Sequence, residues 1–465
     1  MRILLISPNR EKRPDPVFPL GLGYLAAAVK ARGWPVRISD LCFSPDWKES
    51  LLLDLRSFNP DYIGLSIRNV DNVTFPATVS YLPFIKEVLR VCREASAAPI
   101  ILGGSGFTLM PALILQYLKA DYGIVGEGEK GLVVLLERLS RHVPVEKLSG
   151  LIPDHSGQSI EEREASHSLD RLSQPDRDLF DLKAYLSRGA MGNLQTKRGC
   201  PFQCIYCTYP LIEGKKIRLR APGAVADEIE TMVSIGLDHL FFVDNNFNYP
   251  PEQAQGICRE IRSRRLSLRW TAYVNPGFIS ESLVEDMKAS GCRGLELGID
   301  SASPRQLEAL GKNFTLEAIR DAARICRQGD LPFCFSLLLG GPGETLDTVR
   351  ETLEQVQALE PTAVICMTGI RIFPGTRLAG LARQEGLIGR DWDPLQPTFY
   401  LSRAVEDSLQ QVLKDFSRDQ PNWVFPGLGI DLDPLQAERM HKLGLKGPLW
   451  VYLKLKKRGG TSPAA

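Results

Sequence analysis

The sequence has no run of about 20 apolar residues, the length a helix needs to cross a bilayer, so no membrane-spanning helix is expected. It has no repeat of solenoid period and no long low-complexity tract. Its charges nearly cancel, 56 Lys+Arg against 55 Asp+Glu, so no overall field argues for nucleic acid as a partner. The opening "MRILLISPNR" turns polar too quickly for a signal peptide. It is expected as a first β-strand, with a cytoplasmic location as the default. No histidine falls in residues 1–141, the five being His142, His155, His167, His239 and His441. The ten cysteines are not expected to form a disulfide framework in a cytosolic chain of this size.

What is present is a chain of 465 residues, 44% hydrophobic and 24% charged, enough for two or three domains with cores of their own. Over the first 140 or so residues, short apolar runs ("RILLIS", "PVRISDL", "PDYIGLSI", "PIILGG", "ADYGIV") alternate with amphipathic stretches such as "LPFIKEVLRVCREA". That rhythm predicts βαβ crossovers and a parallel sheet. Each run ends in a small or polar loop, and ligands of open α/β sheets bind at those carboxyl ends. Residues 141–190 are polar and read as a linker, with a short hairpin around Leu151–Ile160. From residue 191 a second series of six strand–helix units begins, from "GNLQTKRG" to "AVICMTGIRIFPGT", which predicts an incomplete barrel relative to the eight-unit form. The fold class expected is therefore α/β. An N-terminal Rossmann-like (flavodoxin-like) parallel sheet domain (1–140) and the linker (141–190) precede a partial (β/α)6 TIM-type barrel (191–395) and a small, mostly helical C-terminal region (396–465).

Seven cysteines sit among apolar neighbours and read as small buried hydrophobes. The other three are crowded into "KRGCPFQCIYCTYP", where Cys200, Cys204 and Cys207 form C-x₃-C-x₂-C after the first barrel strand. No fourth cysteine or histidine stands nearby, as a structural zinc site would need. An iron–sulfur cluster normally takes four thiolates; three leave one iron open for an exogenous ligand.

At these residues the chain resembles the radical S-adenosylmethionine (SAM) superfamily. The resemblance implies that Cys200, Cys204 and Cys207 hold a 4Fe–4S cluster whose open iron binds S-adenosyl-L-methionine, with Tyr206 as the aromatic residue before the last cysteine. It extends in order along the barrel. "FFVDNNFN" resembles the second-strand motif, with Asp244 and Asn246 at the mouth; an Asp at a strand end can also cap the next helix. "LELGIDSAS" resembles the fourth-strand motif, making Glu296, Asp300 and Ser301 candidates for contacts to the methionine or ribose. "FSLLLGGPGET" offers Ser336 to the ribose, and "GIRIFPGT" places Ile372 and Phe373 behind the adenine. No residue is assigned to catalysis itself.

The first domain, placed before such a barrel, resembles that of the cobalamin-binding members. Gly64, Ser66, Gly103 and Gly104 match the small residues lining the cobalamin slot, and the "VGEGE" loop with Gly126 and Glu127 closes its edge. The chain departs from the D-x-H-x-x-G pattern that supplies a histidine to cobalt in many cobalamin proteins. Arg68, Asn69 and Phe18 lie on loops that could cover that face. The activity implied is C-methylation of an unactivated carbon through a 5′-deoxyadenosyl radical and methylcobalamin. The alternatives are a cobalamin-using cyclase, ring-rearranging or carbon–carbon coupling enzyme, and a non-catalytic cobalamin or redox sensor. The partners implied are a small-molecule or lipid substrate and an external electron donor of flavodoxin or ferredoxin type. Arg371, Tyr273 and Lys312 are further candidates to meet substrate; Trp423 and Phe425 could line a pocket, but core packing is the first reading for both. The tail "LWVYLKLKKRGG" reads first as a solvated basic end, with weak peripheral membrane contact as the alternative.

Overall fold

The computed structural model describes residues 1–145, 148, 150–152, 168–429, 439–443 and 445–453. The basic end of the tail and most of the expected 151–160 hairpin lie outside these residues. The first sheet has the order β2-β1-β3-β4-β5-β6. Its strands are β1 (Ile3–Ser7), β2 (Val36–Asp40), β3 (Tyr62–Ser66), β4 (Ile100–Gly103), β5 (Tyr122–Ile124) and β6 (Leu151–Ile152). The first five are parallel, and β6 pairs antiparallel with β5. β1 shows why the sheet is covered on both sides. All five of its residues are buried, with Leu4 and Ile6 in one apolar cluster and Ile3 and Leu5 in another. The helix Trp47–Phe58, beyond the expected set, starts where Asp46 accepts from the Glu49 amide, a cap written in the sequence as D-x-x-E.

The second sheet is β7-β10-β11-β12-β13-β14-β17. The sequence-ordered strands are β7 (Gly192–Leu194), β10 (His239–Phe242), β11 (Arg269–Val274), β12 (Cys292–Asp300), β13 (Phe333–Leu339) and β14 (Ala363–Thr368). All are parallel and separated by helices, so the expected six-unit open barrel is present. The C-terminal region carries the expected helix (Leu409–Ser417) and adds a seventh strand, β17 (Trp423–Val424), beside β14. Trp423 and Phe425, which could line a pocket but are expected first of all to pack, are core residues, 3% and 0% exposed. Two small antiparallel pairs stand apart: β8 (Lys197–Arg198) with β9 (Arg218–Leu219), and β15 (Ile370–Arg371) with β16 (Phe399–Tyr400).

Buried charges join the two sheets. Arg371 on β15 donates from Nε to Asp71 of the first domain at 2.9 Å, with side chains 3% and 1% exposed. Its other nitrogens reach the carbonyls of Ile372, Thr398 and Pro394, so the guanidinium is spent within the protein, not free for substrate. Arg177, in the segment expected as linker, packs against the barrel through Glu228 at 2.8 Å, and Glu228 also holds Arg220. Removing one member of a buried pair strands the other charge at a cost of about 3–5 kcal/mol. Arg371→Ala is expected to lose that much in urea unfolding, and Arg371→Ala/Asp71→Ala less than the sum of the two single changes.

Candidate active site

The expected first barrel strand does not run on to the cysteines. It breaks at Gln195, and the chain leaves the sheet to form β8. Asp244, just past β10, explains the break. Its Oδ1 accepts from the Thr196 amide at 2.7 Å and the Lys197 amide at 3.3 Å, and its Oδ2 from the Thr196 hydroxyl at 2.5 Å. Both oxygens are therefore occupied and the residue is 2% exposed. The expectation that Asp244 reaches a cofactor gives way to a structural role, diverting the chain over the barrel rim. Lys197 completes the stitch, donating to the carbonyls of Phe247 at 2.7 Å and Tyr249 at 2.8 Å. Burial pulls its pKa down to about 8. It also reaches the backbone carbonyl of half-buried Asn246 at 3.3 Å.

Beyond β8 the chain turns at Gly199, where φ is +93° and an added Cβ would fall 2.2 Å from the Lys216 carbonyl oxygen. The Gly199 amide donates to Glu213 at 3.0 Å, and the Cys200 amide to the Gly214 carbonyl at 3.1 Å. Cys200 is buried; Cys204 and Cys207 are half-buried. The charge of Cys200 acts on Cys204, and those of both act on Cys207. No three His, Cys, Asp or Glu among the described residues converge tightly enough for a single ion. A cube-shaped iron–sulfur cluster instead needs thiolates spread around it, and these three thiols on one projecting loop fit that donor set. Burial pushes Cys207 up to about 12, so the thiolate form needs the positive charge that bound iron supplies.

The loop faces the first sheet. A cavity of about 640 Å³ lies between the carboxyl ends of β1, β3, β4 and β5 and the barrel rim, within the ~300–1,000 Å³ range of ligand sites. Gly64, Ser66, Gly103, Gly104, Gly126 and Glu127 line one side; Thr208, Tyr209, Glu213, Val243 and Phe373 line the other. Small residues along the first side leave room for a broad planar ligand against the sheet edge. Among the described residues no histidine lines it, whereas Arg68 and Asn69 do, so a cobalamin here fits without a cobalt-ligating imidazole from them. Glu127 also anchors the cysteine strand, pairing with Arg218 at 2.5 Å and Arg198 at 3.4 Å, while Glu129 holds Arg198 at 2.6 Å.

The remaining candidates divide. Tyr206 donates its hydroxyl to Asp300, which also accepts from Lys312 at 2.7 Å, so Lys312 is paired rather than free for substrate. Glu296 lies in mid-strand, in register with Tyr273 and Cys334. It accepts from Trp450 Nε1 at 3.2 Å and bonds Tyr273. Trp450 enters from the C-terminal segment because position 294 is glycine, whose Cβ would fall 2.7 Å from the indole. Above Glu296 the lumen is open: an added Cβ on Gly298 meets nothing within 4 Å, Tyr273 is 41% exposed, and Ser336 is half-buried. Two more candidates are buried. Ser301 is 1% exposed and bonds Thr352 at 2.8 Å, tying β12 to the helix Leu346–Ala358. Ile372 is fully buried in a small cluster with Ile205 and Leu310. Neither lines the cavity between the sheets. Sequence reading missed Tyr209 and Glu213, whose only signal is closeness to Cys207.

The comparisons agree with this geometry. The model of the radical SAM superfamily matches residues 194–356, and that of the B12 binding domain matches residues 6–136. A tryptophan 2-C-methyltransferase of Streptomyces laurentii is 27% identical over 450 residues, covering 82% of this chain and 74% of that one. An uncharacterized methyltransferase of Pyrococcus horikoshii is 27% identical over 434 residues, covering 89% and 91%. The structure of the radical S-adenosylmethionine methyltransferase TsrM from Kitasatospora setae, with cobalamin and a 4Fe–4S cluster bound, superposes with a TM-score of 0.87 at 23% identity, covering 98% of each chain.

Two outcomes follow from the site's geometry. Gly199→Ala forces a Cβ onto a carbonyl, and iron bound per chain after reconstitution is expected to fall by more than half. Gly214→Ala also has a positive φ but open space, so it should cost only the ~1–2 kcal/mol of left-handed strain and keep its iron. Glu296 is the second. Burial pushes its carboxyl up to about 7, against about 4 in an unfolded chain. The folded state therefore holds a proton that the unfolded chain has shed, and stability falls as pH rises from about 4 through 7. Glu296→Gln should exceed the parent by about 3–4 kcal/mol at pH 8, with the margin vanishing near pH 4, as read by urea unfolding across pH.

Proposed function

Because the chain belongs to the radical SAM superfamily and carries a B12-binding domain, we propose that it is a C-methyltransferase acting on an unactivated carbon of a small molecule. That membership brings a 4Fe–4S cluster, S-adenosylmethionine and cobalamin as cofactors. The observation that carries the finer reading is the shared cavity: Thr208 and Tyr209, directly after Cys207, line the same space as Gly64, Gly103 and Gly104. A substrate between the cysteine loop and the first sheet would meet both cofactors at once. The methyltransferases among the relatives support the same reading.

When bound, these groups supply one-electron chemistry and a transferable methyl group; the chain supplies position. Cys200, Cys204 and Cys207 hold the cluster, and Gly64, Ser66, Gly103, Gly104 and Gly126 receive the corrin side. Asp244 and Lys197 fix the loop's height over the rim. Glu296 and Tyr273 present an acceptor and a phenol at the lumen floor, suited to a hydrogen-bonding group of the substrate. Trp450 closes that floor against water from below. Reduction of the cluster calls for an external donor of flavodoxin or ferredoxin type. No helix among the described residues is long and apolar enough to cross a membrane.

The test is anaerobic reconstitution with iron, sulfide and hydroxocobalamin, followed by S-adenosylmethionine, a reductant and the small-molecule fraction of a cell extract. S-adenosylhomocysteine and 5′-deoxyadenosine formed in equal amounts, with a product heavier by one methylene, is the expected result. 5′-Deoxyadenosine without S-adenosylhomocysteine would assign a radical reaction lacking methyl transfer. Cys204→Ala should bring both to background.

A further inference from the structure

Asp300 ends β12 with a φ of +64°, a region that residues other than glycine seldom occupy. It sits at a register shift between Gly298 and Asp300 in the pairing with β13. Such a bulge re-aims a side chain, and here the carboxylate leaves the ladder for the cysteine loop. Its Oδ2 accepts from the Tyr206 hydroxyl and from Lys312 Nζ. Lys312 also donates to the Gly298 carbonyl at 2.9 Å and lies 5.2 Å from the centre of the Phe314 ring. Its side chain is 6% exposed.

The backbone holds this group against the loop independently of the side chains. The Ile205 amide donates to the Leu310 carbonyl at 3.0 Å. Gly311, at φ +69°, lies so close to the loop that a Cβ would fall 2.8 Å from the Gln203 carbonyl oxygen. Residues 310–312 are thus laid directly on residues 203–205. Burial pulls the Lys312 ammonium toward neutrality, but Asp300 and the cysteines outweigh it and leave its pKa above the ordinary lysine value. Its charge acts on all three thiols, Cys200, Cys204 and Cys207, in the same direction, and at Cys204 it is second only to burial. The two basic residues preceding the loop are engaged elsewhere: Arg198 with Glu127 and Glu129, Lys197 with backbone carbonyls.

We propose that Lys312 is a positioning residue that sets the reduction potential of the cluster on Cys200, Cys204 and Cys207, with Asp300 and Tyr206 as the struts holding its charge in place. A fixed cation beside the cluster stabilises the added electron, and low local dielectric enlarges the effect. Asp300 offsets part of that charge, so the two residues act with opposite sign. The inference rests on the cysteine ligation proposed above.

The experiment is a potentiometric titration followed by electron paramagnetic resonance on protein reconstituted anaerobically with iron and sulfide. The forms compared are the parent, Lys312→Met, Lys312→Arg and Asp300→Asn, each assayed for iron and acid-labile sulfide. The midpoint should move more negative in Lys312→Met, stay near the parent in Lys312→Arg, and move less negative in Asp300→Asn. Loss of packing alone does not produce opposite signs. Midpoints equal to the parent's at full iron and sulfide content, or shifts of the same sign in Lys312→Met and Asp300→Asn, would overturn the assignment. Should Lys312→Met fail to take up iron, the sign in Asp300→Asn decides. A parent that binds no cluster would instead refute the cysteine ligation.

Discussion

The site depends on buried charges at the seam whose ion partners stand across it. Asp71 is 1% exposed and its ion partner, Arg371, stands on the barrel. Glu127 and Glu129 of the first domain meet Arg198 and Arg218 of the cysteine strand. A buried ion pair contributes little net stability once desolvation is counted, but a mismatched one is expensive. Such pairs therefore act as selectors of arrangement. They favour the one docking in which the carboxyl edge of one parallel sheet looks into the mouth of the other. The cavity lies between the two edges that these pairs bring together.

Much of this was legible in the sequence, for a physical reason. Strand and helix patterns report which faces are apolar, and those periodicities are local, so five of the first sheet's six strands and six of the second's seven could be read from residues in place. The cysteine triplet was legible because its ligands are neighbours in sequence. β17 was not, because it is two residues long and joins a sheet whose other members ended dozens of positions earlier. Polar side chains were harder still. Asp244, Ser301 and Glu296 each sit in or beside a strand with the same outward look, yet one stitches a broken strand, one ties strand to helix and one faces an open lumen. What distinguishes them is the partner, and those partners lie 48, 51 and 154 residues away. Periodicity carries no information at that range.

The two sides of the cavity solve different problems with different residues. The first sheet presents glycines and a serine at its edge, where the backbone itself can approach a broad ligand closely. The barrel rim presents Tyr209, Glu213 and Phe373, bulky groups that define shape and polarity around something smaller. This asymmetry fits a large, invariant cofactor on one side and a substrate that must be discriminated on the other.

The cysteine loop combines both demands, since it must be rigid enough to place a cluster and still reach beyond the barrel. It gains reach by leaving the sheet at Gln195 and recovers rigidity through contacts on three sides: Asp244 beneath, Glu127 and Glu129 across the seam, and the 310–312 segment behind. The last of these costs left-handed backbone at Asp300, about 1–2 kcal/mol by itself. The charge-assisted bond to buried Lys312, worth about 1.5–3 kcal/mol, is large enough to offset it. Strain at a strand end is tolerated where surrounding bonds over-determine the conformation, and here those bonds are the ones that set a positive charge beside the thiols. Folding energy spent on the bulge is thereby converted into an electrostatic environment that a regular strand end, with its carboxylate left in the ladder, would not provide.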